Sequence, residues 1–221
     1  DLKLMNSFNM NEAIVLEDVM PIEFIEKNAI LYPDRIAVLY ENKSITFREL
    51  DNKAQIIASQ LHEFGVKAGD LVPIIASRSV EFIIAICGVL KAGAAYVPVD
   101  NNYPKERIDY ILEDCNPNVV LVYEYDKFDK EKVIDLANPN LWNSKVKPFS
   151  RNIQSSDLIY CIYTSGTSGN PKGVLVEQRG VVNLCTNVIN KIFHKDQVDI
   201  VALMASFAFD SSVKMIFTSL M

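Results

Sequence analysis

The 221-residue sequence has only two histidines and four cysteines, and each scarcity removes a class of function. Neither His62 nor His194 has a second ligand at metal-binding spacing, and Cys87, Cys115, Cys161 and Cys185 form no CxxC pair. A structural zinc site is therefore not expected. Widely spaced thiols, three of them among apolar neighbours, read as buried reduced cysteines of a cytosolic protein, not a disulfide framework. Basic excess is missing too: 22 Lys and Arg stand against 28 Asp and Glu, for a net charge of −6. With no Lys/Arg stripe carrying interleaved aromatics, nucleic acid is not an expected partner. Long apolar runs are absent, the stretch from Phe82 to Leu90 being far too short to cross a bilayer. The segment from Asp1 to Asn11 lacks the basic flank and apolar core of a signal peptide and has no initiator Met. No membrane partner is expected, and the expected location is cytoplasmic. What is present is the composition of a folded domain, 49% hydrophobic and 23% charged, with enough apolar side chains to bury a core.

Residues 1–18 show no sustained period and read as a linker, leaving 19–221 as one unit. Within it, strand-like and helix-like runs alternate. Pro21 to Leu31 has helical spacing, and Ile36 to Tyr40 is a short β-branched run ended by the turn-like Glu41-Asn42-Lys43. Thr46 and Glu49 form a capping-box pair, which predicts a helix carrying Leu50, Ala54, Ile57, Leu61 and Phe64 and stopped by Gly65. Strands are expected at Leu71–Ala76, Tyr96–Val99, Val119–Tyr123, Leu158–Tyr163, Gly173–Val176 and Ile200–Met204. Helices are expected at Ser79–Lys91, from Pro104 to about Asp114, at Val181–Phe193 and from Ser211 onward. The stretch from Asp126 to Ser156 is polar and weakly patterned. This alternation predicts an α/β fold with crossover connections, a largely parallel sheet and helices on both faces. The final apolar run, Ile216 to Met221, stops without a cap and reads as a chain cut in mid-helix.

The most informative segment runs from Tyr163 to Gly173. Thr164, Ser165, Thr167 and Ser168 supply four hydroxyls, Gly166, Gly169 and Gly173 three glycines, and Lys172 a cation, all between two predicted strands. Glycine lets backbone N–H groups converge on an anion, hydroxyls donate further bonds, and lysine adds a mobile positive charge. That combination suits a polyphosphate. It is not the nucleotide loop in which a GK dipeptide opens a helix, because Pro171 precedes Lys172, Gly173 follows it, and a strand comes next. A polar hairpin turn is the bland alternative.

This segment resembles the phosphate loop of the adenylate-forming superfamily of acyl-CoA synthetases, luciferases and adenylation domains of nonribosomal peptide synthetases. Ser168 stands where that family most often has Thr, and the hydroxyl is kept. Ile45 to Leu50 resembles its early LTYxEL motif. Leu90 to Asp100, continuing through Tyr103-Pro104 and Arg107-Ile108, resembles LKAGxAYVPLDPxxPxxRI, and Phe209 to Val213 resembles FDxSV; both forms are typical of the peptide-synthetase branch. The resemblance covers about residues 20–221 and implies the N-terminal portion of the large subdomain of an adenylation domain.

The implied reaction is ATP-dependent activation of an amino acid as an aminoacyl adenylate. The acyl group then passes to the phosphopantetheine thiol of a carrier protein, in a parent synthetase that also holds condensation domains. ATP and Mg2+ are the implied cofactors. Thr164, Ser165, Gly166, Thr167, Ser168, Gly169 and Lys172 are the implied phosphate-binding residues, with Lys172 the catalytic candidate. Asp210 inherits the role of holding the substrate α-amino group, with Ser211 and Lys214 completing the substrate set. Two readings of Lys214 stand: it favours a substrate with an acidic side chain, or it pairs with Asp210 across one helical turn. Asp210 also has a bland reading, as a helix cap. Gln178 stands where the family often has His, with no functional account. The resemblance places the adenine, ribose and metal motifs and the catalytic lysine of a small subdomain later in such domains, so these 221 residues alone are not expected to turn over. Other readings are another adenylate-forming ligase, for acyl, aryl or D-alanine substrates, and a noncatalytic scaffold that kept the fold.

Overall fold

The computed structural model describes residues 18–126, 132–165, 171–193 and 200–221. Helix α1 (Pro21–Leu31) opens with proline at its first turn, where no N–H is needed, and buries Ile22 and Ile25. Strands β1 (Ile36–Tyr40) and β2 (Lys43–Thr46) form a separate antiparallel hairpin, turned by Glu41 at φ 53°. Thr46 then caps α2 (Phe47–Glu63) through the expected reciprocal pair: the Glu49 N–H donates to Thr46 Oγ1 at 3.2 Å, and the Thr46 N–H donates to Glu49 Oε2 at 2.8 Å.

The remaining strands are β3 (Leu71–Ala76), β4 (Ala95–Asp100), β5 (Val120–Val122), β6 (Val133–Asp135), β7 (Leu158–Thr164) and β8 (Lys172–Glu177). They form one six-stranded sheet in the order β6-β5-β3-β4-β7-β8, parallel except for β8, which pairs antiparallel with β7. Among the described residues helices α3 (Val80–Lys91), α4 (Lys105–Cys115), α5 (Gln178–Ile192) and α6 (Asp210–Leu220) follow, with a short 3-10 turn at Pro139–Asn143.

Side chains alternate across the sheet, as a pleated strand requires. Ile74, Tyr96, Leu121, Tyr160 and Ile162 point to one face and join the core formed with α1, α2, α3, α5 and α6. Ile75, Val97, Val99, Val122, Cys161 and Tyr163 point to the other and meet Ile108, Ile111 and Leu112 of α4. Helix α3 is apolar all round and almost wholly buried, because it lies between the sheet and α2. Because β3 leads into α3 and β4 into α4, the chain leaves these neighbouring strands toward opposite faces. In sheets wound this way the carboxyl ends of such strands are the usual ligand position.

Three readings of the sequence need correction. Ile200 to Met204 is irregular, not a strand: Ile200 is 93% exposed, and no described strand lies beside it to supply a ladder. Lys43, read with Glu41 and Asn42 as a turn, instead opens β2. The weakly patterned stretch after Asp126 contains β6, too short at three residues to show an alternation.

Candidate functional site

The hairpin stem between β7 and β8 carries the ends of the glycine-rich segment. Thr164 closes β7, Lys172 opens β8, and the two are register partners. Both are exposed, as is Ser165, so their polar groups project from the carboxyl edge of the sheet. Gly166, Thr167, Ser168 and Gly169 lie outside the described residues. Lys172 has no ion-pair partner among the described residues. Gly173 is needed for packing: a Cβ there would stand 2.7 Å from Cys161 Sγ and 3.3 Å from Tyr163 Cζ. A side chain of any size would push the two strands apart.

Asp210 is the first residue of α6, one position after the N-cap Phe209. Its side chain makes no capping bond; instead the Ser212 hydroxyl donates to the Phe209 carbonyl at 2.6 Å and to the Phe207 carbonyl at 3.1 Å. Asp210, Ser211 and Lys214 are all exposed, and no ion pair joins Asp210 to Lys214. The Asp210 charge acts on Tyr160 of β7, whose phenol is pushed up first by burial and then by that carboxylate. Tyr160 in turn packs against Tyr96 of β4, with ring centroids 5.9 Å apart. The Asp210 charge at the start of α6 is therefore within electrostatic reach of β7, the strand that leads into the hairpin stem.

The segment before α6 is held from the other side by Arg78, a residue that local sequence pattern did not single out. From the turn after β3 its guanidinium donates to the carbonyls of Met204 and Ala205, both at 3.1 Å. Phe207 then packs on Phe82 of α3 with centroids 4.5 Å apart. The carbonyl partners of Arg78 lie 126 and 127 residues away, so no local pattern pointed to them. Gln178 is fully buried at the start of α5, and neither its Oε1 nor its Nε2 has a hydrogen-bond partner among the described residues. Nothing in the structure explains that choice of residue.

A cavity of about 470 Å3, lined by Asp18, Gln154, Ser155, Ser156, Arg179 and Val182 among others, opens near the start of β7. It lies at the opposite end of that strand from the stem, away from the carboxyl edge. Among the described residues no group of three His, Cys, Asp or Glu side chains could hold a metal ion, and no helix is long and apolar enough to cross a membrane.

Residues 25–221 match the family described as AMP-binding enzyme. The chain is 37% identical over 205 residues to tyrocidine synthase 1 of Brevibacillus parabrevis, covering 90% of this chain and 19% of that protein. It superposes on the nonribosomal peptide synthetase FmoA3 in its AMPPNP-bound form with a TM-score of 0.86 and 28% identity, over 99% of this chain and 23% of that one. The form of FmoA3 bound to alpha-methyl-L-serine-AMP gives a TM-score of 0.85 at 30% identity, over 94% of this chain and 23% of that one. The chain thus spans about a fifth of the length of these proteins.

Proposed function

The chain belongs to the AMP-binding enzyme family, and on that premise we propose that it serves the ATP-dependent activation of an amino acid in a nonribosomal peptide synthetase. The observation that carries this reading is the register pairing of Thr164 with Lys172 at the carboxyl edge, on a strand whose Tyr160 lies within electrostatic reach of Asp210. In the first half-reaction the amino-acid carboxylate attacks the α-phosphorus of MgATP, and the bond to the bridging oxygen of pyrophosphate breaks. Aminoacyl-AMP and pyrophosphate result. Magnesium arrives with the triphosphate as part of the substrate. Lys172, Thr164 and Ser165, with Gly166 to Gly169, hold the β- and γ-phosphates and keep pyrophosphate charge stabilised as it leaves. Asp210 receives the substrate ammonium. A carboxylate in the first turn of a helix is stabilised by the helix dipole, and an ammonium neutralises it when the site closes around substrate. In the second half-reaction the phosphopantetheine thiol of a carrier domain takes the acyl group and AMP leaves. Carrier and condensation domains are the expected partners, in the cytoplasm.

Lys214 supports a finer proposal, a substrate with an acidic side chain. It is exposed one turn after Asp210 and has no ion-pair partner among the described residues.

The test is ATP–pyrophosphate exchange by the full-length gene product, with the twenty amino acids and several fatty and aryl acids. Exchange with aspartate or glutamate supports both proposals. Exchange with another amino acid keeps the reaction class and removes the role given to Lys214. Exchange only with fatty or aryl acids moves the protein to another adenylate-forming branch, and none at all from a folded protein favours a noncatalytic scaffold.

A further inference from the structure

The stem of the phosphate loop makes a long-range contact that phosphate binding itself does not use. Tyr163, the residue before Thr164, is 7% exposed, and its hydroxyl donates a 2.5 Å hydrogen bond to Asp114 Oδ2 at the far end of α4. Burial and then this bond hold the phenol in its protonated form, so it remains a donor. The other side of the ring lies against Gly173, which has no side chain to keep it away. Tyr163 and Gly173 are register partners, immediately before Thr164 and immediately after Lys172 in the same ladder.

We propose that Asp114 is a positioning residue for nucleotide binding, acting through the Tyr163 ring to fix where the stem presents Thr164 and Lys172 to a polyphosphate. The inference rests on the phosphate-binding role proposed for Lys172. Docking of α4 does not need the bond, because Ile108, Ile111 and Leu112 already bury that helix against the sheet. The Asp114 residue is itself exposed and would be solvated without the contact. What the bond adds is direction. A planar ring held at its tip by a carboxylate and along its side by a glycine backbone has little freedom to swing, and the β8 backbone that bears Lys172 rests on it. A short phenol-to-carboxylate bond is among the stronger hydrogen bonds of a protein, so its loss is felt at the stem.

The experiment is calorimetric titration of the full-length gene product with AMPPNP, comparing wild type, Tyr163→Phe, Asp114→Ala, the double variant, Asp114→Asn and Lys172→Ala, each with its Tm. Tyr163→Phe and Asp114→Ala are each expected to weaken binding about fivefold, the size of one hydrogen bond. The double variant should bind no more weakly than either single one, and Asp114→Asn, which keeps an acceptor oxygen, should regain most of the affinity. Additive losses in the double variant, or a lowered Tm with unchanged affinity, would show a purely structural contact and overturn the inference. Unchanged affinity in both single variants, with binding lost in Lys172→Ala, would overturn it while sparing the adenylation reading. A folded wild type that binds no AMPPNP removes that reading, and the inference with it.

Discussion

At position 173 a hydrogen atom occupies space that no side chain can share, since a Cβ would meet Cys161 Sγ at 2.7 Å. The sulfur sits on a strand buried against α4 and has nowhere to retreat. Gly173→Ala is therefore expected to destabilise the fold by about 1–3 kcal/mol, as overpacking of a filled core does, read by urea denaturation. The thiols make a second residue-scale case. Burial pushes Cys87 up to about 12 and Cys161 up to about 11, and Cys185 is also buried and shifted upward. Thiolate is the reactive form, so these three should be inert to a thiol reagent at neutral pH in the native state. Cys115 is half-buried on the outer turn of α4. The expected titration is no fast reaction at Cys87, Cys161 or Cys185 before unfolding and four reactive thiols after it; fast labelling of any of these three in the native protein would contradict the packing described. Asp210→Ala addresses the site itself. Removing a carboxylate that bonds an ammonium forfeits roughly 1.5–3 kcal/mol, so the KM for the amino acid should rise at least about tenfold, while the affinity for AMPPNP stays. Equal losses for both ligands would argue against an amino-group role.

At the scale of elements, Gly88 lets α3 lie close on α2: a Cβ there would come within 2.5 Å of Ile57 Cβ and Cγ2. Two effects oppose one another in Gly88→Ala. Helix propensity favours alanine by about 1 kcal/mol, whereas the clash forces two buried helices apart. The overlap is with carbon atoms at the root of a β-branched side chain, which cannot rotate away, so packing should win and the Tm should fall. Neighbouring residues also show what a sequence can disclose about elements. The capping box at Thr46 and Glu49 was legible because its two bonds span three residues. The buried strands β3, β4 and β7 were legible from apolar runs between turn residues. Strand β6 was not, since three residues carry no period and its place depends on pairing with β5. The run from Ile200 to Met204 has strand composition, but composition cannot create a neighbouring strand, and Arg78 holds its end through carbonyls instead. The site divides in the same way. Its phosphate loop is contiguous and could be read directly, whereas the bond from Tyr163 to Asp114 and the grip of Arg78 join positions 49 and 126–127 residues apart and leave no local trace.

For the molecule as a whole, one ion cluster joins parts of the chain that the sheet does not. Lys91, at the end of α3 and 4% exposed, bonds Glu26 of α1 at 2.7 Å and approaches Asp51 of α2 at 2.9 Å. Glu26 also takes both guanidinium nitrogens of Arg151, each at 2.8 Å, from the segment that leads into β7. Two helices and the approach to the phosphate-loop strand thus share one carboxylate, and Lys91 ties in α2 through Asp51. Glu26→Gln would leave buried Lys91 with Asp51 alone and partly buried Arg151 facing a neutral amide. Breaking a buried pair by removing one partner is severe, and the partial exposure of Glu26 moderates it, so a loss of about 2–3 kcal/mol is expected. The pH dependence follows from the direction of the Glu26 shift. Burial alone would raise its pKa, but Arg151 and Lys91 outweigh burial and hold it below the ordinary carboxylate value. A folded value below the unfolded one, near 4.3 for a free glutamate, means the stabilisation is complete above that pH. It is lost as pH falls through the folded value, because the unfolded chain takes up the proton first. The difference in unfolding free energy between wild type and Glu26→Gln should therefore be flat from about pH 7 to pH 5 and shrink below about pH 4. Urea denaturation of both proteins across that range measures it. A difference that stayed constant down to pH 3 would mean that the carboxylate charge is not what binds α1, α3 and the β7 approach together.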